Sequence, residues 1–194
     1  MNTYDFDKTI YINDSSADFY KWCILRFPLE ILKTAPRTLF KAILYAAKKI
    51  DTKELKEQVF SFLRDIDDAE ALAEQFWEEK IDGVGDWYLA RQKPDDLVIS
   101  ASPEFLLRPV ARRLGFALIA TPMDEKTGKI TGNNCHDHEK VRRFYDEYPG
   151  AHTEEFYSDS LTDSPMARIA DKAVLVDHSR LSPWPQEYLE NQYP

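Results

Sequence analysis

The sequence predicts an α/β fold: a doubly wound, Rossmann-like parallel sheet with an all-helical segment inserted after its first strand. Three observations carry this. Between Ser15 and about Ala90, apolar residues recur every three or four positions, the period of amphipathic helices. After Ala90, short apolar runs alternate with helical stretches, the pattern of parallel strands joined by crossover helices. The short N-terminal run up to Asp5 has no strand beside it in sequence, so it must reach across the helical segment to pair with the later strands.

Taken in order, FYKWCILRF, RTLFKAILYAAKKI, TKELKEQVFSFL and DAEALAEQFWEEKI are expected helices. Pro28 and Pro36 should interrupt the apolar run, Asp51 or Thr52 should cap the next helix, and GVG at 83–85 should end or bend the last. The apolar stretch LRFPLEILKTAPRTLFKAILYAAKK is broken too often by charge and proline to span a bilayer. DLVISAS then reads as a strand, PEFLLRPVARRLG as a helix and FALIATPM as a strand. After the turn-rich KTGKITGNN come a helix in HDHEKVRRFYDEY, a strand in EEFYSDS, a helix in SPMARIADK and a strand in AVLVD. SPWPQEYLENQYP reads as a surface-packed extension. The expected division is a core of residues 1–12 and 88–194, with residues 13–87 as a helical cap.

A chain of 194 residues buries a full core without staples. Cys23 and Cys135 stand too far apart in sequence to suggest a disulfide or ligand framework. The start of the chain is polar and acidic rather than basic then apolar, so a cytoplasmic location is expected. The formal charge of −9 argues against a general nucleic-acid binder. The charge is unevenly spread: residues 21–50 carry Lys21, Arg26, Lys33, Arg37, Lys41, Lys48 and Lys49 against Glu30 alone. That segment is either a solvated helical face or a surface for anionic substrates or lipid headgroups, which would allow peripheral membrane contact.

In doubly wound sheets, functional groups gather at the carboxyl ends of the strands, where the loops open into one crevice. Here those ends carry Asp5 and Asp7 in YDFDKTI, Ser100 and Ser102 after LVIS, and Asp159 and Asp163 after EEFY, with Lys140 on the helix before the EEFY strand. In an extended strand Asp5 and Asp7 would point the same way. Three carboxylate positions converging on one crevice would be poorly tolerated without a cation, and a hard divalent ion resolves the repulsion.

DFDKT at 5–9, the VISAS strand end, GNNCHDHEK and YSDSLTD follow one another in the order of the four motifs of the haloacid dehalogenase superfamily of phosphohydrolases, which this sequence resembles across its whole core. The cap position, VISASPEFL and NCHDHEKVRRF resemble the phosphoserine phosphatase-like branch. The resemblance implies a Mg²⁺-dependent phosphomonoester hydrolase acting on a small phosphorylated metabolite, such as a phosphoserine-like compound. Asp5 would be the nucleophile that forms an aspartyl-phosphate, and Asp7 the general acid and then the general base. Asp5 and Asp159, with the backbone carbonyl of Asp7, would bind Mg²⁺, and Asp163 would stand behind them, orienting a metal-bound water or Lys140. Ser100 and Lys140 would bind the phosphate, helped by Thr9, whose hydroxyl would brace the first loop.

Competing readings are weighed on the same residues. Ser100 or Ser102 could cap the following helix, Ser102 having the better spacing, and Asp163 could cap SPMARIADK. CHDHE could suggest zinc through Cys135, His136 and His138, but the two histidines alternate rather than share a helix face and no second ligand pair stands at suitable spacing. Asp137 stands where the family usually has glycine. A receiver-like phospho-switch shares these residue types but not their order, since here Asp159 and Asp163 follow Lys140. The early cap NDSSADFYKWCILRFPLEIL, with HEKV and YSDS, also resembles the phosphatidylglycerophosphatase C type of lipid phosphatase, whose substrate would be a lipid-linked phosphomonoester at the membrane surface.

Overall fold

The computed structural model describes residues 1–190. Its centre is a six-stranded sheet in the order β3-β2-β1-β4-β5-β6. The strands are β1 (Thr3–Tyr4), β2 (Leu97–Pro103), β3 (Ala117–Thr121), β4 (Thr153–Ser158), β5 (Ala170–Asp177) and β6 (Arg180–Pro183). Strands β1 to β5 pair in parallel, and β1, only two residues long, lies between β2 and β4. The N-terminal run therefore does cross the helical segment to join the later strands.

Five helices stand between β1 and β2: α1 (Ser15–Arg26), α2 (Pro28–Ala46), α3 (Thr52–Val59), α4 (Ala69–Lys80) and the short α5 (Asp86–Leu89). Asp14, Asp51 and Asp68 cap α1, α3 and α4 through their carboxylates, each accepting from a backbone N–H three residues on. Of the two expected breaks, only the one at Pro28 occurs. Pro36 lies inside α2, contrary to expectation. The carbonyl it leaves without an N–H partner is that of Leu32, on an exposed turn where water can take the proline's place.

Alternation along the strands divides the interior in two. Val98 and Tyr157 face a core shared with Phe19, Phe60, Phe76 and Trp77 of the inserted segment and with Phe105 and Leu106 of α6 (Glu104–Leu114). Leu97, Ile99 and Phe156 face the other way, onto Phe144 of α7 (His138–Glu147) and Met166 of α8 (Ser164–Ile169). Phe19 and Trp22 of α1 are thus core residues.

The C-terminal stretch is more than a surface extension. His178 and Ser179 both take positive φ, of 46° and 69°, and turn the chain back so that β6 pairs antiparallel with β5. Trp184 follows, buried in the second core, and the short α9 (Gln186–Glu190) ends the described chain.

Candidate active site

The sheet reverses its winding at β1, so the loops after β1, β2 and β4 open into one crevice. A cavity of about 280 Å³ lies there, and Asp5, Asp7, Ser100, Ser102, Lys140, Asp159 and Asp163 all line it. Thr9 does not.

β1 ends at Tyr4, so Asp5 and Asp7 are not paired by strand pleating as their spacing suggests. The Asp5 N–H still donates to the Tyr157 carbonyl at 2.8 Å, holding Asp5 against β4. Beyond Asp7 the chain turns through Lys8, at φ 57°, and that loop aims both carboxylates into the cavity.

Lys140, in the first turn of α7, is buried between two acids. Its Nζ donates to Asp5 Oδ1 at 2.6 Å and to Asp163 Oδ2 at 2.7 Å. Burial opposes its ammonium, but Asp163 and Asp5 outweigh that and hold its pKa above the usual lysine range. Burial pushes the Asp5 carboxyl up, with Lys140 acting against the shift and Asp163 adding to it. Ser158 Oγ also donates to Asp163 Oδ2, at 2.8 Å. Asp163 therefore spends its side chain on Lys140 and Ser158 and makes no capping bond to α8.

Asp7 is held by different partners. Ser15 N–H, at the start of α1, donates to its Oδ1 at 2.7 Å, and Ser102 Oγ donates to its Oδ2 at 2.5 Å. Burial raises the Asp7 pKa and Asp14 adds to this, while the Ser102 and Ser15 bonds pull it down. Ser102 was the better-spaced candidate to cap α6, but α6 carries no side-chain cap. A register irregularity between Ser100 and Pro103 in the β2–β3 pairing re-aims Ser102 at Asp7 instead. Ser100 Oγ accepts from the Ser102 N–H at 3.1 Å and lines the cavity.

Thr9 braces two loops. Its Oγ1 accepts from the Asp159 N–H at 2.9 Å and stands 3.5 Å from Asp5 Oδ2. That hydroxyl tethers the β1 loop to the β4 loop. Asp137 takes φ 56°, the left-handed conformation that glycine adopts freely, and Cys135, His136 and His138 do not converge: one is buried, one edges the cavity and one opens α7 into solvent.

Lys56, which no motif in the sequence marks, also lines the cavity. From α3 its Nζ donates to the Ala101 carbonyl at 2.7 Å and to Asn134 Oδ1 at 2.8 Å. Nothing in the local sequence sets it apart from its lysine neighbours; only the docking of α3 over the end of β2 does.

The donor set suits a hard cation. Asp5 and Asp159 bring carboxylates to one cavity, and Asp159, half-buried with its pKa raised first by burial, accepts no hydrogen bond from another residue among those described. Among the described residues no three His, Cys, Asp or Glu side chains stand close enough to cage an ion. Such a site fits Mg²⁺, which takes one or two carboxylates and completes its shell with waters and other oxygens.

A doubly wound sheet that gathers buried acids, a lysine and serines at its switch point is an α/β protein with a polar crevice built from its strand ends. Residues 3–168 match the haloacid dehalogenase-like hydrolase family, and the chain belongs to that family. It is 32% identical over 186 residues to Protein CicA of Caulobacter vibrioides, an alignment covering 87% of this chain and 82% of that protein. The fold is shared with a protein of unknown function from Bordetella pertussis Tohama I, at a TM-score of 0.76 and 21% identity over 96% of this chain and 92% of the other. It is shared more loosely with a phosphoserine phosphohydrolase-like protein from Francisella tularensis subsp. tularensis SCHU S4, at a TM-score of 0.57 and 13% identity over 92% and 88%. Among the described residues no helix is long and apolar enough to cross a membrane.

Proposed function

We propose that the chain hydrolyses phosphomonoesters by passing the phosphoryl group through Asp5. The observation that carries this is the pair of acids in one cavity with different neighbours: burial raises both carboxyls, but Asp5 stands against the Lys140 ammonium and Asp7 against the Ser102 hydroxyl and the Ser15 N–H. A carboxylate kept ionised beside a cation serves as a nucleophile. A carboxyl raised by burial with no ammonium against it serves as an acid.

In the first step an Asp5 oxygen bonds to phosphorus as the ester P–O bond breaks, and Asp7 gives its proton to the departing alcohol oxygen. In the second, Asp7 takes a proton from water as the water oxygen bonds to phosphorus, and the Asp5 carboxylate is restored as inorganic phosphate leaves. Ser100 and Lys140 would hold the phosphoryl oxygens, and Asp163 would hold Lys140 in place. Asp5, Asp159 and the Asp7 carbonyl would hold Mg²⁺. When bound, the ion supplies positive charge to the phosphoryl oxygens and orients them in line.

Residues 13–87 would act as a cap over a core of residues 1–12 and 88–194. Ser16 and Lys56 from that segment line the cavity, which supports a part in leaving-group selection. The substrate proposed is a compact phosphorylated metabolite, phosphoserine-like in size; the cavity of about 280 Å³ would take its phosphate end, and an adjoining cavity of about 790 Å³, which shares Lys8, Asp14 and Asp159 with it, leaves room for the rest.

The test is Asp5→Asn assayed with p-nitrophenyl phosphate and Mg²⁺. Turnover should fall by more than about a thousandfold with the circular dichroism spectrum unchanged. Activity within about tenfold of the parent would remove the covalent route.

A further inference from the structure

Helix α2 is packed into the protein through one buried residue, Ile31, and turns an apolar row outward. Leu29, Leu32, Leu39, Phe40 and Ile43 follow one another at helical spacing and are each 59–68% exposed, with Leu25 of α1 beyond them at 81%. So long a row of large apolar side chains on one face marks a surface that meets something other than water.

What lies beside the row points to the occupant. Lys33, Arg37 and Lys41 leave α2 on the flank next to it and form one wall of a separate cleft of about 380 Å³, closed by Arg64 and Lys129. Asp65 pairs with Lys33, Glu54 pairs with Lys41, and the third acid of the cleft, Glu57, accepts from the Ile130 N–H, so cations outnumber acids there five to three. Arg37, Arg64 and Lys129 make no ion pair among the described residues. A second copy of this chain on the same face would bring two clefts of the same positive excess together. An anionic lipid surface matches both parts: acyl chains against the apolar row, headgroup phosphates in the basic cleft.

We infer that the outward face of α2, with the adjoining Arg37–Arg64–Lys129 cleft, seats the protein on anionic phospholipid bilayers. The inference stands apart from the phosphatase chemistry, because binding and hydrolysis are read separately.

Flotation of the full chain with vesicles tests it. At low ionic strength the protein should float with vesicles of equal parts phosphatidylglycerol and phosphatidylcholine and not with phosphatidylcholine alone. Leu29→Glu combined with Phe40→Glu should weaken binding by at least about tenfold. Arg37→Gln and Arg64→Gln should each weaken it roughly fivefold, and added salt should do the same. These side chains are exposed and none of them lines the cavity, so hydrolysis of p-nitrophenyl phosphate by the variants should match the parent. Absence of flotation with anionic vesicles, or equal flotation with neutral ones, would overturn the inference. So would a lipid-free dimer, seen by sedimentation, that the Leu29→Glu/Phe40→Glu variant dissolves. Loss of hydrolysis in the parent alone would count against the phosphatase reading and leave the flotation result standing.

Discussion

Ser102 Oγ donates to Asp7 Oδ2 at 2.5 Å, joining the end of β2 to the loop after β1 across the mouth of the cavity. A hydroxyl donating to a carboxylate favours its ionised form, so this bond opposes the burial that raises the Asp7 pKa. Ser102→Ala should therefore raise the Asp7 pKa further. If Asp7 must be protonated to release the alcohol, the alkaline limb of kcat/KM against pH should move to higher pH. A limb that stayed in place or moved down would show that Asp7 does not set it.

Asp7→Asn should separate the two chemical steps by leaving group. A p-nitrophenolate departs with little protonation, while an alkoxide needs a proton, and general acids contribute about 10²–10⁴-fold. Hydrolysis of an alkyl phosphate should fall by at least about a hundredfold more than that of p-nitrophenyl phosphate. Equal losses on both substrates would take the acid role away from Asp7.

Lys140→Met should cost about 3–5 kcal/mol of stability at neutral pH, because it leaves Asp5 and Asp163 buried without their shared cation. The pH dependence carries a definite sign. Burial already raises the Asp5 carboxyl in the folded state, and removing the ammonium raises it further, so the folded form binds a proton more tightly than the unfolded chain. Stability of the variant should then fall as pH rises from the ordinary carboxylate range through neutrality. Urea titrations at about pH 5 and pH 8 measure it.

Gly128 sits at φ 69° in the turn before Ile130, and a Cβ there would stand 2.2 Å from the Phe60 carbonyl oxygen. Gly128→Ala should destabilise by about 1–2 kcal/mol from the conformation alone, with more from the collision. A melting temperature equal to the parent's would mean that the turn and the Phe60 backbone separate without cost.

Much of the fold could be read from period and order. The runs LVIS, ALIAT and EEFYS became β2, β3 and β4, and the first strand joined them because no nearer partner existed. Two elements resisted for local reasons. The β5–β6 hairpin turns on His178-Ser179, which lacks the Asn-Gly or Asp-Gly signature of two-residue turns, so β6 and the burial of Trp184 left no local mark. Pro36 reads as a break in any window, yet it falls on an exposed turn where the lost bond is replaced by water.

At the site, the sequence showed which residues would meet but not how each would be used. Asp5, Ser100, Lys140, Asp159 and Asp163 do gather, since strand ends are brought together by topology. The partners of Asp7 depend on the β2 irregularity that turns Ser102 from a cap into a donor, and on the way α1 presents the Ser15 N–H. Neither is a property of residue type or spacing, and Lys56 was invisible for the same reason.

The position of β1 also sets an order of assembly. Two residues from the very start of the described chain occupy the middle of the sheet, and their neighbours on either side, at Leu97–Val98 and Phe156–Tyr157, are made much later on the ribosome. Until β4 has emerged, Asp5 has no Tyr157 carbonyl to lean on and no Asp163 across Lys140. The helices between can form early from local contacts, but the Asp5 carboxylate waits on pairings of long sequence separation, which are slow to close. A nascent chain thus gathers the groups around Asp5 only once β4 and the segment carrying Asp163 have been made, long after Asp5 itself.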